Sequence, residues 1–171
     1  MRPTARLKPI DKALYFIKLD KDQDGYTVKD FGFKGRGIKT IVDRKNGDFL
    51  LHYTGELITG EEGDRREAKN STGFRFFFIS KGKQLCVDAS EESGRLGRLV
   101  NHGHKKELNA VMKEVSGQLI LFAQRDICAG EELLYDYGLK EYPWTQVTVS
   151  TVTQMRPMWN NPLQLQLLKT N

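Results

Sequence analysis

The sequence predicts a mostly β domain with short helices. Three observations carry that class. Short runs of β-branched and aromatic residues recur between glycine, asparagine and aspartate turn signals. Helical patterns are few and brief, and no internal repeat is visible. At 171 residues, one domain with a real core is the natural size.

Asp11 to Leu19 has the spacing of a short helix with Leu14, Ile17 and Phe16 turned inward. The rest of residues 1–30 is polar and weakly periodic. The glycines from Gly32 to Gly37 demand a turn or a close backbone approach. Phe49 to Tyr53 reads as a strand entered from the Asn46-Gly47-Asp48 turn. Thr59 to Lys69 starts with a capping hydroxyl and Glu61-Glu62, then turns basic, which is a helix signature. Phe74 to Ile79 and Gln84 to Ala89 read as a hairpin joined by Ser80 to Lys83. Gly94 to Val100 reads as a short helical turn. Val111 to Val115 and Gln118 to Gln124 form a second hairpin around Ser116-Gly117. Leu133 to Tyr137 is the last strand, with Tyr135 and Tyr137 on one face. Thr145 to Thr153 has strand propensity but no charge, an aggregation hazard if exposed.

Hydrophobic residues make up 39% and charged residues 29% of the chain. No apolar run approaches the roughly 20 residues of a membrane span. Ala13 to Ile17 is too short for a secretory signal. Cys86 and Cys128 provide neither a disulfide framework nor a zinc site. The net charge is +5, and all of the excess lies in residues 1–40. That segment reads either as a contact for DNA or another anion, or as a solvated tail.

Two motifs invite readings that their surroundings reject. Asp20, Asp22, Asp24 and Gly25 match the first half of an EF-hand calcium loop. The twelfth position, where a bidentate glutamate belongs, is Phe31. His102 and His104 share a strand face, but no third zinc ligand stands nearby in sequence. Structural histidines are the plainer reading.

Five segments taken in order carry the functional signal. They are Lys34 to Gly37, Gly47 to Ile58, Cys86 to Ala89, Arg95 to His102 and Gly130 to Gly138. Over about residues 25–144 this series resembles the SET-domain protein-lysine methyltransferases. The wording of Arg95 to His102 and of Glu131 to Gly138 is most similar to the histone H4 lysine 20 monomethyltransferase group. The resemblance implies several small curved sheets with the C-terminal segment threaded as a pseudoknot. It divides the chain into a basic N-terminal segment (1–24), a SET domain (25–138), a post-SET segment (139–150) and a disordered tail (151–171).

The resemblance also implies the chemistry. S-adenosyl-L-methionine would be the cofactor and a lysine of the histone H4 tail or nucleosome the substrate, with non-histone lysines also in reach. The protein would be a monomer in the nucleus, on the chromosome. Free lysine has a pKa of about 10.4, so its neutral form at pH 7 lies ~4–5 kcal/mol uphill. A narrow aromatic channel disfavours the charge, and hydroxyls aim the lone pair. No metal or covalent intermediate is needed.

By resemblance, Tyr137 matches the catalytic tyrosine beside the transferred methyl and the amine. Tyr135 matches the position that sets product multiplicity, where tyrosine keeps an ordered water and restricts the amine to one methyl. Tyr53 matches a tyrosine that hydrogen-bonds the amine. Lys34, Gly35 and Arg36 would contact the cofactor, with Lys34 or Arg36 facing its carboxylate. Asn101 and His102 would bind it through side chain and backbone, Phe74 would stand at a cofactor-contacting strand position, and Trp144 would cover the adenine.

The chain departs from the family in two places. Gly103 stands where serine is usual, removing a hydroxyl and loosening the backbone. Phe74 to Phe78 lacks the strand tyrosines of the closest relatives. These departures motivate a second reading, a SET-like module that binds chromatin or a peptide with weakened catalysis.

Overall fold

A computed structural model describes residues 7–138 fully and residues 156–157 through their backbone. Trp144, the post-SET segment and the rest of the expected tail lie outside the described residues.

The chain opens with helix α1, Pro9–Lys18, with proline in the first turn, where its missing N–H goes unneeded. Ala13, Phe16 and Ile17 pack on Phe49, Ile120 and Phe122. Those three helical positions are spaced i, i+3, i+4 and share one face. Leu14 lies off that face and is 41% exposed, so the inward expectation for Leu14 is corrected.

Strands β1, Tyr26–Asp30, and β2, Arg36–Thr40, form an antiparallel pair that the weak periodicity of this region did not announce. A 3-10 turn, Gly32–Lys34, joins them. Next come β3, Phe49–His52, β4, Glu56–Thr59, and helix α2, Gly60–Lys69. The Thr59 hydroxyl caps α2 by accepting from the Glu62 N–H at 3.2 Å.

The two predicted hairpins are present. Strands β5, Arg75–Ser80, and β6, Lys83–Asp88, flank the two-residue turn Lys81-Gly82. A 3-10 turn, Gly97–Leu99, stands where a short helical turn was expected, and leads into the two-residue β7, Asn101–His102. Strands β8, Ala110–Val115, and β9, Gln118–Ala123, flank Ser116-Gly117. Both turns hold positive φ at both central residues, the geometry that matches strand twist.

Strand β10 covers only Leu134–Tyr135, so Tyr137 lies beyond the strand expected to contain it. A short β11, Arg156–Pro157, pairs antiparallel with β5.

Among the described residues, three sheets result: β1-β2, β3-β9-β8-β10-β7 and β11-β5-β6-β4. Strand β10 lies between β7 and β8 and is parallel to both. The connection from β7 to β8, residues 103–109, must therefore pass across β10. This is the expected threading. Asn109 secures it: its Oδ1 accepts from the Leu134 N–H at 2.9 Å, and its Nδ2 donates to the Glu132 carbonyl at 2.7 Å. The main core gathers Ile38, Leu50, Leu51, Phe76, Phe78, Leu119, Leu121 and Leu133 between the sheets.

Candidate functional site

An aromatic cluster forms where the threaded segment meets β3 and β5. Tyr53 follows β3, and its ring lies 5.7 Å from Phe76 on β5. Phe76 lies 6.4 Å from Tyr135 on β10. Tyr135 and Tyr137 approach to 4.5 Å, the closest ring pair in this cluster. Tyr53, Phe76 and Tyr135 are buried, and Tyr137 is half-buried.

The hydroxyls are anchored to backbone. Tyr53 Oη donates to the Phe74 carbonyl at 3.1 Å, and Tyr137 Oη to the Val100 carbonyl at 2.6 Å. Burial pushes the hydroxyls of Tyr53, Tyr135 and Tyr137 well above the ordinary tyrosine value. All three are therefore neutral hydrogen-bonding groups rather than phenolate bases.

A polar cluster lies at the other side of β7. Glu132 Oε1 accepts from Asn101 Nδ2 at 3.0 Å, and Glu132 Oε2 pairs with Lys34 Nζ at 2.5 Å. Gly37 makes this possible. A Cβ there would stand 2.4 Å from Asn101 Nδ2 and 2.9 Å from Glu132 Oε1. Gly35 has φ of +71°, and no atom lies within 4 Å of where its Cβ would be, so its backbone is open. Arg36 points elsewhere and pairs with Glu92, which also accepts from Arg98 at 3.2 Å. The Arg98 guanidinium lies 3.7 Å over the Phe74 ring.

His102 joins the two clusters. Its ring is 5.3 Å from Tyr137, and its Nδ1 accepts from the Tyr137 N–H at 3.3 Å. Burial lowers its pKa, consistent with a neutral ring whose Nδ1 bears no proton. His104 stands edge-on at 5.6 Å.

Gly103 is not a loosened point. Its N–H donates to the Tyr135 carbonyl at 3.2 Å, and a Cβ there would lie 2.8 Å from Leu134 Cβ. The expectation of a slack backbone is corrected, because the threaded strand packs directly against this residue.

The acidic turn before β1 also has a partner. Asp20 Oδ1 and Asp22 Oδ1 lie 2.5 and 3.3 Å from the Arg95 guanidinium, and Asp22 Oδ2 accepts from the Leu96 N–H at 2.8 Å. These carboxylates thus hold the turn that leads to Val100 and Asn101.

The structure brings together Tyr53, Tyr135, Tyr137, Asn101 and His102, with Lys34 and Gly35 alongside and Phe74 behind Tyr53. Trp144 lies outside the described residues. Sequence reasoning assigned no role to Glu132, Asn109, Phe76 or His52. Glu132 stood inside one of the five motif segments, but its partners are 31 and 98 residues away in the chain. His52 precedes Tyr53, is buried, and meets the Thr54 hydroxyl at 3.0 Å.

Residues 35–138 match the SET domain family. N-lysine methyltransferase KMT5A-B of Xenopus laevis is 38% identical over 135 residues, covering 71% of this chain and 40% of that protein. Histone-lysine N-methyltransferase Set8 of Drosophila pseudoobscura pseudoobscura is 34% identical over 139 residues, covering 74% of this chain and 20% of that protein. The chain thus spans less than half the length of either relative. Among solved structures, CpSET8 from Cryptosporidium superposes with a TM-score of 0.63 at 30% identity, over 81% of this chain and 69% of that one. The chain belongs to the SET-domain family. That membership implies a methyl-donor cofactor.

Proposed function

We propose that this chain is an S-adenosyl-L-methionine-dependent protein-lysine N-methyltransferase that monomethylates lysine 20 of histone H4. The observation that carries the reading is the convergence of Tyr53, Tyr135 and Tyr137 in one buried cluster, joined through His102 to the polar group at Asn101 and Lys34. Similarity to an N-lysine methyltransferase and to a histone-lysine N-methyltransferase supports a histone lysine as the substrate. The resemblance of Arg95 to His102 and Glu131 to Gly138 to the H4 lysine 20 group supports the particular lysine. A histone substrate accords with work in the nucleus, on the chromosome, by a monomer whose basic N-terminal segment contacts DNA.

The polar cluster fits an amino-acid-like cofactor. Lys34 supplies an ammonium for a carboxylate, Asn101 an amide, and Gly35 an open backbone. Lys34, Gly35, Phe74, Asn101 and His102 would hold S-adenosyl-L-methionine, with Trp144 against its adenine and Arg36 reaching it only through its backbone, since its side chain is turned to Glu92. When bound, this cofactor supplies an electrophilic methyl group on a sulfonium.

The chain's own residues prepare the substrate amine. The Tyr53, Phe76 and Tyr135 rings exclude water and disfavour the ammonium form, so the lysine loses its proton to solvent before it reacts. Tyr53 and Tyr137 spend their hydroxyl protons on the Phe74 and Val100 carbonyls. Their oxygens then accept from the amine N–H groups, which directs the nitrogen lone pair. Most of the gain is orientational. Tyr135 limits the space left after one methyl has been added.

Incubation with labelled cofactor and nucleosomes or H4 tail peptide, read by mass spectrometry, tests the proposal. Monomethylation of a single lysine is expected. A folded protein that binds cofactor yet transfers no methyl overturns it in favour of the SET-like binding module.

A further inference from the structure

We propose that Glu132 is the positioning residue of the cofactor half of the site, holding Asn101 and Lys34 as one preformed unit. This rests on the methyltransferase reading above. Glu132 is fixed in place by its backbone as well as its side chain. Its residue forms an antiparallel bridge with Lys39, and its neighbours bond β2 through Thr40 N–H to the Glu131 carbonyl at 3.0 Å and Leu133 N–H to the Ile38 carbonyl at 2.7 Å. The backbone thus aims the carboxylate at the face of β2 that Gly37 leaves bare.

The chemistry at this position selects a carboxylate. Both partners present hydrogens: an amide NH2 at 3.0 Å and an ammonium at 2.5 Å. A carboxylate offers an oxygen to each. Glutamine offers one oxygen and one NH2, so either one partner faces another donor or the Asn101 amide turns over and loses its present orientation. With its Nδ2 committed to Glu132, Asn101 is held in a single orientation, with Oδ1 at the opposite end of the planar amide. Lys34, only 26% exposed at its side chain, is likewise held beside Gly35 rather than ranging through solvent. The adjacent Glu131 serves elsewhere. It pairs with Arg125 at 2.6 Å and accepts from the Cys128 N–H at 2.7 Å. The two neighbouring glutamates therefore form a matched test and control.

The experiment compares wild type, Glu132→Gln, Glu132→Asp and Glu131→Gln by calorimetric binding of S-adenosylhomocysteine. Steady-state kinetics and thermal melting accompany it. Wild type and Glu131→Gln should bind equally. Glu132→Gln should bind about tenfold more weakly, the scale of one lost charge-assisted hydrogen bond. Its cofactor KM should rise while peptide KM stays level, a split that a general folding defect would not produce. Glu132→Asp keeps the charge but loses reach, and should fall between wild type and Gln, so the test survives if Gln fails to fold. Unchanged affinity in the Glu132 variants beside a binding wild type overturns this inference alone. A wild type that binds no cofactor overturns the methyltransferase reading, and this inference with it.

Discussion

The Tyr137 hydroxyl donates a 2.6 Å hydrogen bond to the carbonyl of Val100, which immediately precedes Asn101. The bond joins the end of the threaded segment to the entry of β7. The backbone contact between the Tyr137 N–H and His102 Nδ1 closes the same joint from the other side. One hydroxyl of the aromatic cluster is therefore set by the strand that carries the polar cluster, and the two halves of the site move together.

Tyr135→Phe tests the division of labour between the paired tyrosines. The rings stand 4.5 Å apart, so removing the Tyr135 hydroxyl should enlarge the space beside Tyr137 without displacing it. Product analysis by mass spectrometry should show dimethyl-lysine rising above monomethyl-lysine. An unchanged product ratio would refute the assigned role.

Gly103→Ser restores the residue usual in the family, yet in this chain it should destabilise. The new Cβ would meet Leu134 Cβ at 2.8 Å and Leu108 Cδ2 at 3.3 Å. Leu134 Cβ moves only with the threaded backbone, so the expected loss is ~1–3 kcal/mol, typical of overpacking. Denaturant unfolding measures it, and a variant as stable as wild type would sink the packing argument.

Glu67→Ala removes the partner of a buried arginine. Arg75 Nη1 lies 2.8 Å from Glu67 Oε2, and both side chains are almost wholly buried. Asp88 also holds Arg75 at 2.9 Å, but it shares its Oδ2 with Arg66. Breaking a buried pair on one side typically costs about 3–5 kcal/mol, and Asp88 should keep the loss near the lower end. The melting temperature should fall clearly; Glu67→Ala melting with wild type would disprove the pairing.

Stability should fall with acid in two separate windows. Burial lowers the pKa of His52 and His102 in the folded chain, and for His52 the Arg95 charge adds to it. The unfolded chain takes up these protons near pH 6.5 while the folded chain resists, so stability is full above about 6.5 and declines as pH drops below it. Asp88 acts later. Burial alone would raise it, but hydrogen bonds from Ser90, Arg75 and Arg66 outweigh burial and hold it at about 2. Its contribution is intact above the ordinary value of 3.8 and is lost as pH falls towards about 2. Thermal melts at constant ionic strength should show both declines. A curve flat from pH 7 to 5 would exclude the histidine effect.

Local chemistry determined much of this protein in advance. Both hairpin turns were legible, because Lys81-Gly82 and Ser116-Gly117 sit between runs of strand formers. Helix α2 was legible from Thr59 and the charge order behind it. The ordered motifs named the family and pointed to Tyr53, Tyr135, Tyr137, Asn101 and His102. Strands β1, β2, β4 and β7 were not legible, because they carry little apolar period of their own and take their order from partners.

What tertiary structure alone decided is how distant residues meet. Leu14 faces outward because the sheet selected the face of α1 that carries Ala13, Phe16 and Ile17. Gly103 is tightly packed because β10 passes beside it. Glu132 meets Lys34 and Asn101 only because the Leu134–Tyr135 strand that follows it is threaded between β7 and β8. Hydrophobic period and turn chemistry act over a few residues, so they wrote the elements into the sequence, while the family came from the resemblance carried by the ordered motif segments. The joining of three tyrosines, an amide and an ammonium depends on threading across most of the chain, which no local pattern encodes.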